Sequence, residues 1–232
     1  MIYADSRGLN LTDARGKSPF GTYVARLERH YHVTSALCPE SHTTILDFLS
    51  FAEGQDLDHY AAVVMHCGIV DFSPRPVSNI DKVRAGKHGL PQFDELFSRN
   101  AGYHADPTRV DYHGEPTINL YSSDYLRSSI LPRLLDIPNL VWIDSNHFVP
   151  GWEGNYSRGR PANIQEFVSR FEDIMVGQLP HVVDLKGWSP EEVKQRTIDN
   201  IHFTLQGFAV VAESIAQTVT EMCAGARASA RR

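Results

Sequence analysis

The sequence predicts an α/β protein in which about five parallel strands lie between two layers of helices, a three-layer α/β/α sandwich. Short apolar runs alternate with stretches whose apolar residues recur at helical spacing, and this order is typical of β-α-β units with right-handed crossovers. The runs at 61–66, 140–143 and 181–185 are largely apolar, as expected of strands covered on both faces. With 232 residues, 42% of them hydrophobic, the chain can bury one large core, so we expect a single domain over 1–232.

Each predicted element follows from its own pattern. Two shorter runs join the three apolar ones as strands, so that the predicted strands are 1–4, 32–37, 61–66, 140–143 and 181–185. Between them, apolar residues at positions i, i+3, i+4 and i+7 predict amphipathic helices. These stripes cover 20–31, 164–175 and 208–222.

The interval 71–136, between the third and fourth predicted strands, is far longer than the dozen or so residues that a crossover needs. It contains six prolines, and only 123–135 is predicted to be helical, with an interruption at Pro132. Loops that leave the carboxyl ends of strands form the ligand crevice of an open α/β sheet. We therefore expect this insertion to act as a substrate cap, the alternative being a surface excursion without a function.

Composition excludes several classes of protein. The formal net charge is −6, whereas a nucleic-acid-binding protein usually presents a basic face. No apolar run approaches the roughly 18 residues of a membrane span, and the first residues lack the pattern of a signal peptide. The three widely spaced cysteines, Cys38, Cys67 and Cys223, fit a reducing compartment. We expect a cytoplasmic protein with neither a nucleic-acid nor a membrane partner.

A serine directly follows the first predicted strand, in the sequence Asp5-Ser6-Arg7-Gly8. This place presents the hydroxyl of Ser6 in the crevice, but a serine acts as a nucleophile at neutral pH only with a general base within hydrogen-bond reach. Without such a base, Ser6 would only satisfy backbone donors in the turn.

An Asp and a His three residues apart can supply that base and the group that orients it. The spacing occurs at Asp56/His59, Asp144/His147 and Asp199/His202. The first pair lies in a charged loop, and the second closes the fourth strand, where it could line the crevice. The third pair alone precedes a glycine and a closing helix, which favours it.

These motifs, and the strands that they follow, resemble the SGNH (GDSL-type) hydrolase family over nearly the whole chain. The family's Gly-Asp-Ser, Gly-x-Asn-Asp and Asp-x-x-His blocks correspond here to Ala4-Asp5-Ser6, Gly68-Ile69-Val70-Asp71 and Asp199-Asn200-Ile201-His202, the last followed by Gly207. The resemblance implies the flavodoxin-like sandwich of the family, with Ser6 as nucleophile, His202 as general base and Asp199 as the residue that orients it. Members hydrolyse esters and some amides, commonly acetyl groups on sugars, and a few transfer acyl groups. No metal or organic cofactor is implied.

The chain departs from the family pattern at two places. Val70 replaces the asparagine that donates a hydrogen bond to the oxyanion, and losing one such donor typically costs roughly 3–4 kcal/mol of transition-state stabilisation. The glycine that the family carries in the loop after the second strand is also absent from 38–42, although a backbone N–H of Ser41 or His42 could serve instead. Arg7, Arg75 and Asn146 are the candidates to compensate for Val70. The predicted oxyanion and substrate-binding residues are thus Arg7, Ser41, Gly68, Arg75 and Asn146.

Four arginines lie in loops that are predicted to leave the carboxyl ends of strands: Arg7, Arg75, Arg158 and Arg160. Guanidinium groups suit bidentate binding of carboxylate or phosphate. They indicate an anionic substrate, such as an acidic sugar, a nucleotide-linked sugar or an acyl-CoA donor. The alternative is that these arginines are solvated or paired with acids in the loops.

The leading hypothesis is a serine esterase or deacylase that forms an acyl-enzyme on a small ester or amide, including sugar-linked ones. The same residues would serve an acyltransferase, which differs only in whether water or another hydroxyl reaches the acyl-enzyme. Val70 also leaves open a non-catalytic carbohydrate-binding protein with this fold.

Overall fold

The computed structural model describes residues 1–14, 16–40 and 42–229. Its strands are β1 (Ile2–Ala4), β2 (Ser35–Leu37), β3 (Val63–His66), β4 (Arg75–Pro76), β5 (Asp111–Tyr112), β6 (Glu115–Ile118), β7 (Leu140–Ile143) and β8 (Val182–Val183). Five of them form one sheet in the order β2-β1-β3-β7-β8, and every neighbouring pair is parallel. The prediction of about five parallel strands is confirmed.

Helices connect these strands. They are α1 (Tyr23–Leu27), α2 (Ile45–Glu53), α3 (Ile69–Phe72), α4 (Val77–Gly86), α5 (Pro91–Arg99), α6 (Ala101–His104), α7 (Ser123–Tyr125), α8 (Leu131–Leu135), α9 (Ile164–Val176), α10 (Pro190–Arg196) and α11 (Leu205–Ser229). A π-helical segment, Leu126–Ile130, joins α7 to α8, and short 3-10 helices occupy Ser6–Gly8 and Leu57–His59. None of the helices in the described ranges combines the length and the apolar character needed to cross a membrane.

The main sheet is covered by helices on both faces, because successive side chains of a strand point to opposite sides. On one face, Tyr3 of β1 and Trp142 of β7 pack with α2, α9 and helices of the insertion. On the other face, Ile2 and Val141 pack with α1 and α11. This arrangement is the predicted three-layer sandwich, and it leaves the carboxyl ends of the strands free to carry a site.

The first predicted helix is shorter than its apolar stripe. Helix α1 covers only Tyr23–Leu27, because Thr22 caps it by accepting a hydrogen bond from the backbone N–H of Ala25. The two ends of the stripe, Phe20 and Tyr31, are 59% and 45% exposed. The prediction of a helix over 20–31 is therefore wrong at both ends, whereas the stripes at 164–175 and 208–222 lie within α9 and α11.

The insertion contains more regular structure than its prolines indicate. Strands β4, β6 and β5 form a small antiparallel sheet, and α4, α5 and α6 precede the predicted helix at 123–135. Pro91 occupies the first turn of α5, where a helix needs no backbone N–H, and the side chains of Phe93 and Leu96 on this helix are fully buried. The prediction that only 123–135 is helical is wrong, because α4, α5 and α6 form as well and a proline at the start of a helix, as in α5, is compatible with it.

Candidate active site

A short turn after β1 presents Ser6. The carboxylate of Asp5 accepts a hydrogen bond from the backbone N–H of Arg7 (2.9 Å) and caps the 3-10 helix Ser6–Gly8. The same carboxylate binds the guanidinium of Arg7, whose Nη2 lies 3.0 Å from Asp5 Oδ2, and both side chains are buried. The turn that carries Ser6 is thus stabilised by the buried contacts between Asp5 and Arg7. The side chain of Ser6 itself is half-buried.

A tight loop before α11 carries Asp199 and His202. An antiparallel bridge between Thr197 and Phe203 closes this loop, and the N–H of Ile198 donates to the carbonyl of His202 (2.7 Å). Gly207, in the first turn of α11, leaves no room for a side chain, because a Cβ there would lie 2.0 Å from the carbonyl oxygen of Arg196. The loop and the start of α11 are therefore packed directly on the end of α10.

Asn200, at the tip of this loop, adopts the left-handed conformation (φ 68°), which asparagine tolerates better than most residues. Its Oδ1 accepts from the N–H of Val149 (2.7 Å), and its Nδ2 donates to the carbonyl of Trp152 (2.5 Å). The Nδ2 of Asn146 donates to the carbonyl of Asn200 (3.0 Å). These contacts anchor the loop to the segment after β7. The anchoring role of Asn200 was not predicted from the sequence, in which only its position inside the Asp-x-x-His block could have indicated it.

Ser6, His202 and Asp199 form a continuous hydrogen-bonded array. Ser6 Oγ lies 3.0 Å from His202 Nε2, and His202 Nδ1 lies 2.8 Å from Asp199 Oδ2. The other oxygen of Asp199 accepts from the backbone N–H groups of His202 (2.7 Å) and Ile201 (3.1 Å). A carboxylate on Nδ1 favours the tautomer whose Nε2 lone pair faces the serine hydroxyl.

The pKa of Asp199 is lowered from its ordinary value. Partial burial of the carboxyl acts in the opposite direction, but the hydrogen bond and charge of the His202 side chain, together with the backbone N–H groups of His202 and Ile201, outweigh it. The carboxylate therefore stays ionised at neutral pH, as an orienting group must.

The other two pairs with the same spacing are arranged differently. The Asp56 and His59 side chains form an exposed ion pair with 3.5 Å between Oδ2 and Nδ1. Asp144 instead accepts a hydrogen bond from the N–H of Leu185 (2.6 Å), and His147 contacts Gln165. Among the described residues, the third pair is the one that reaches Ser6.

A cavity of about 420 Å³ opens beside Ser6 and His202. The insertion lines it with residues that include Ser73, Arg75 and Tyr112, and the segment 156–161 lines it as well. The insertion thus forms part of a cleft next to the serine, while its role as a substrate cap stays a prediction.

The predicted oxyanion and substrate-binding residues are distributed unevenly around this cleft. Arg75 lines it, and its Nε donates to the carbonyl of Val70 (3.3 Å). Arg7 and Asn146 do not line the cleft; both are buried and bind other parts of the protein. Gly68 precedes α3 with a φ of 100° and is not among the residues that line the cleft, and Ser41 lies outside the described residues.

Arg158 and Arg160 both line the cleft, but they differ in exposure and in the contacts of their side chains. The Nη2 of Arg160 donates to the carbonyl of Asp199 (2.5 Å) and lies 3.4 Å from its Oδ2, and the guanidinium stacks on the ring of Tyr156 at 4.2 Å. Arg158 is exposed. Arg160 therefore braces the loop of Asp199, a role that its spacing in the sequence does not indicate.

Asp71, the last residue of the Gly68-Ile69-Val70-Asp71 block, is fully buried and anchors that block to the helical layer. Its carboxyl accepts hydrogen bonds from the backbone N–H of Ile45 (3.2 Å) and from the hydroxyl of Tyr121 (3.0 Å). Burial raises the pKa of Asp71 to about 8, because these hydrogen bonds offset only part of the desolvation. The group therefore binds a proton in the folded protein under conditions in which the unfolded chain has lost it.

This proton predicts a specific dependence of stability on pH. The free energy of unfolding should fall as pH rises from about 4, where Asp71 ionises in the unfolded chain, to about 8, where it ionises in the fold. We expect Asp71→Asn to gain stability relative to the unsubstituted protein as pH rises from 5 to 8, measured by thermal unfolding. The exposed Asp58→Asn serves as the control. A difference in melting temperature that is the same at pH 5 and pH 8 would contradict the assignment.

No group of three or more His, Cys, Asp or Glu side chains within the described residues could hold a metal ion. A second cavity, of about 480 Å³, lies at the opposite edge of the sheet and is lined largely by apolar residues, among them Leu27 and Ile215. The cleft beside Ser6 is therefore where the candidate reactive groups converge.

The fold and the site together define a three-layer α/β/α protein with a serine–histidine–aspartate array at the carboxyl edge of its parallel sheet. No family model matches the sequence, and no curated protein matches it. Over 95% of its length, the chain is similar in structure to a lipase/acylhydrolase from Enterococcus faecalis, covering 93% of that chain with a TM-score of 0.53 and 15% identity. This likeness confirms the predicted fold. It also confirms that the fold resembles that of the SGNH (GDSL-type) hydrolases.

Two further solved structures are similar over 94% of the chain. One is a protein from Desulfitobacterium hafniense described as lipolytic and of the G-D-S-L family, with 97% of that chain covered, a TM-score of 0.47 and 9% identity. The other is an acetyl xylan esterase, with 98% covered, a TM-score of 0.43 and 12% identity.

Proposed function

We propose that the protein is a serine esterase or deacylase that forms an acyl-enzyme on a small ester or amide. The observation that carries the proposal is the array itself. Ser6 Oγ lies 3.0 Å from His202 Nε2, and His202 Nδ1 lies 2.8 Å from Asp199 Oδ2, beside an open cleft. The similar structure described as a lipase/acylhydrolase supports the same class of reaction.

The reaction follows from these contacts. Ser6 Oγ attacks the acyl carbon while His202 Nε2 takes the hydroxyl proton, and Asp199 stabilises the resulting imidazolium. The bond from carbon to the leaving oxygen or nitrogen then breaks, and His202 returns the proton to the leaving group. A water molecule next gives a proton to His202 and attacks the acyl-enzyme. The bond from the acyl carbon to Ser6 Oγ then breaks, and His202 returns the proton to Ser6 Oγ as the acid leaves.

The oxyanion needs hydrogen-bond donors in this mechanism. Within the described part of the chain, the backbone N–H of Ser6 has no hydrogen-bond acceptor, so we assign it to the oxyanion. Val70 carries no side-chain donor. Of the three side chains predicted to compensate for it, Arg75 lines the cleft, whereas Arg7 and Asn146 are bound elsewhere.

Labelling with a fluorophosphonate probe tests the proposal, because such a probe reacts with an activated serine. We expect the unsubstituted protein to be labelled, Ser6→Ala to remain unlabelled, and Ser73→Ala, which alters another serine of the same cleft, to be labelled normally. An unlabelled native protein, or undiminished labelling of Ser6→Ala, would contradict the proposal and favour a non-catalytic carbohydrate-binding protein.

An acyltransferase is the second candidate, and the insertion favours it. Its residues line the cleft beside Ser6, where they would limit the access of water to the acyl-enzyme. Product partition with and without a sugar acceptor separates the two candidates. Transfer is supported if an acylated acceptor forms at the expense of the free acid.

We also propose a reducing compartment, the cytoplasm, as the location. The support is that Cys38, Cys67 and Cys223 are all free thiols in the structure.

A further inference from the structure

Three arginines line the cleft beside Ser6, but their charges are balanced to different extents. Arg160 is paired, with its guanidinium close to carboxylate oxygens of Asp199 (3.4 Å) and Glu153 (3.7 Å). Arg75 and Arg158 form no ion pair with any residue that the structure describes. The cleft therefore holds two guanidinium groups that have no ion-pair partner among the described residues.

Arg75 is the more constrained of the two. It is half-buried, and its Nε is tied to the carbonyl of Val70 (3.3 Å), the residue that stands at the family's asparagine position. Its two terminal amino groups have no hydrogen-bond acceptor within the described ranges. Burial lowers the pKa of Arg75, but an arginine keeps its proton in a protein, so the charge remains. A partly desolvated cation without a partner is unfavourable, and an incoming anion would relieve this.

Two carboxyl groups in this region, those of Asp71 and Glu115, form no ion pair with Arg75. The hydrogen bonds of Asp71 go to Ile45 and Tyr121, and its raised pKa keeps it largely protonated at neutral pH. Glu115 lines the cleft, but its two oxygens accept from the N–H (3.0 Å) and the hydroxyl (2.8 Å) of Ser78. The terminal amino groups of Arg75 are therefore available as hydrogen-bond donors in the cleft where the substrate would lie.

We propose that the substrate of the Ser6 site carries a carboxylate or phosphate group, which Arg75 binds through its terminal amino groups and Arg158 attracts from the rim. This inference rests on the proposed function and names the class of ester that the site selects. A guanidinium binds either oxyanion through two parallel hydrogen bonds, which are stronger than those between neutral groups. Arg75 then acts in substrate binding, and its removal raises KM.

Matched esters test the inference. The neutral probe is 4-nitrophenyl butyrate, and the charged probe is 4-nitrophenyl hemisuccinate, which carries a carboxylate at the end of an acyl chain of similar length. We expect the native protein to prefer the hemisuccinate at least tenfold in kcat/KM. Arg75→Ala should lose about 10- to 100-fold on the hemisuccinate, mostly in KM, and less than about threefold on the butyrate. Arg75→Lys should lose an intermediate amount, and the exposed Arg29→Ala is the matched control.

An equal loss on both esters would overturn the inference, because Arg75 would then serve the oxyanion of every substrate. A native protein with no preference for the charged ester would overturn it as well.

A binding measurement separates this inference from the proposed function. Titration calorimetry on the Ser6→Ala variant, which lacks the nucleophile, should detect binding of succinate or inorganic phosphate, and the Ser6→Ala/Arg75→Ala double variant should not bind them. The stronger ligand of the two identifies the kind of anion. If the anions bind through Arg75 but Ser6 is never labelled, the proposed function fails alone. If Ser6 is labelled but neither anion binds, the anionic substrate class is refuted alone.

Discussion

Replacing His202 with alanine is expected to lower kcat/KM for an ester substrate by about 10⁴- to 10⁶-fold, because members of such arrays act as a unit. Ser6 Oγ would lose the basic nitrogen that lies 3.0 Å away, and a serine hydroxyl without a base is a poor nucleophile at neutral pH. His202 is half-buried at the edge of the cleft, so the fold should survive, and thermal unfolding checks this.

The matched control for this variant is His59→Ala. His59 has an aspartate partner at the same spacing as His202, but the pair is exposed and lies outside the cleft. The control should retain normal turnover. A His202→Ala protein within tenfold of native activity would show that some other group takes the proton of Ser6.

Asp199→Asn is expected to lower kcat by about 10⁴-fold with little change in KM, as loss of the orienting carboxylate does in serine hydrolases. The carboxylate accepts from Nδ1 of His202 at 2.8 Å, whereas an amide can donate to that nitrogen and so favour the wrong tautomer. Steady-state kinetics on one neutral ester measures the effect.

A double variant sharpens this second prediction. In the proposed mechanism Asp199 acts through His202, so the Asp199→Asn/His202→Ala protein should be no slower than His202→Ala alone. The control, Asp56→Asn, removes the carboxylate of the exposed pair and should leave kcat unchanged. Losses that multiply in the double variant would indicate that Asp199 contributes independently of the imidazole.

The strands of the main sheet and two of the long helices were predictable because their patterns are local. An apolar run such as 140–143 predicts a buried strand wherever it occurs, and β7 coincides with it. The periodic stripes of α9 and α11 report directly on the face that each helix buries. The pattern failed at α1, where a capping threonine and exposed aromatic residues limit the helix, and in the insertion, where proline starts α5.

The three residues of the hydrogen-bonded array, Ser6, Asp199 and His202, were predictable from the sequence, but most of the contacts around them were not. The sequence places a serine after the first strand and offers three Asp-x-x-His pairs of equal spacing. Parallel strands bring their carboxyl ends to one edge, which explains why a serine at position 6 and a histidine at position 202 can meet. Arg7, Asn146 and Arg160 each form hydrogen bonds to residues far away in the chain, namely Ser145, Asn200 and Asp199. No local sequence pattern predicts such contacts.

By itself, the sequence determined the strands of the main sheet, the apolar faces of α9 and α11 and the residue types that the site can use. These properties follow from side-chain periodicity and local backbone preference, which act over a few residues. Tertiary structure decided that Arg7 binds Ser145 and the carbonyl of Cys67, that Arg160 contacts Asp199 and that Arg75 lines the cleft without an ion pair among the described residues. Whether a charged side chain is paired depends on which distant carboxylates and carbonyls the folded chain brings within a few ångströms of it.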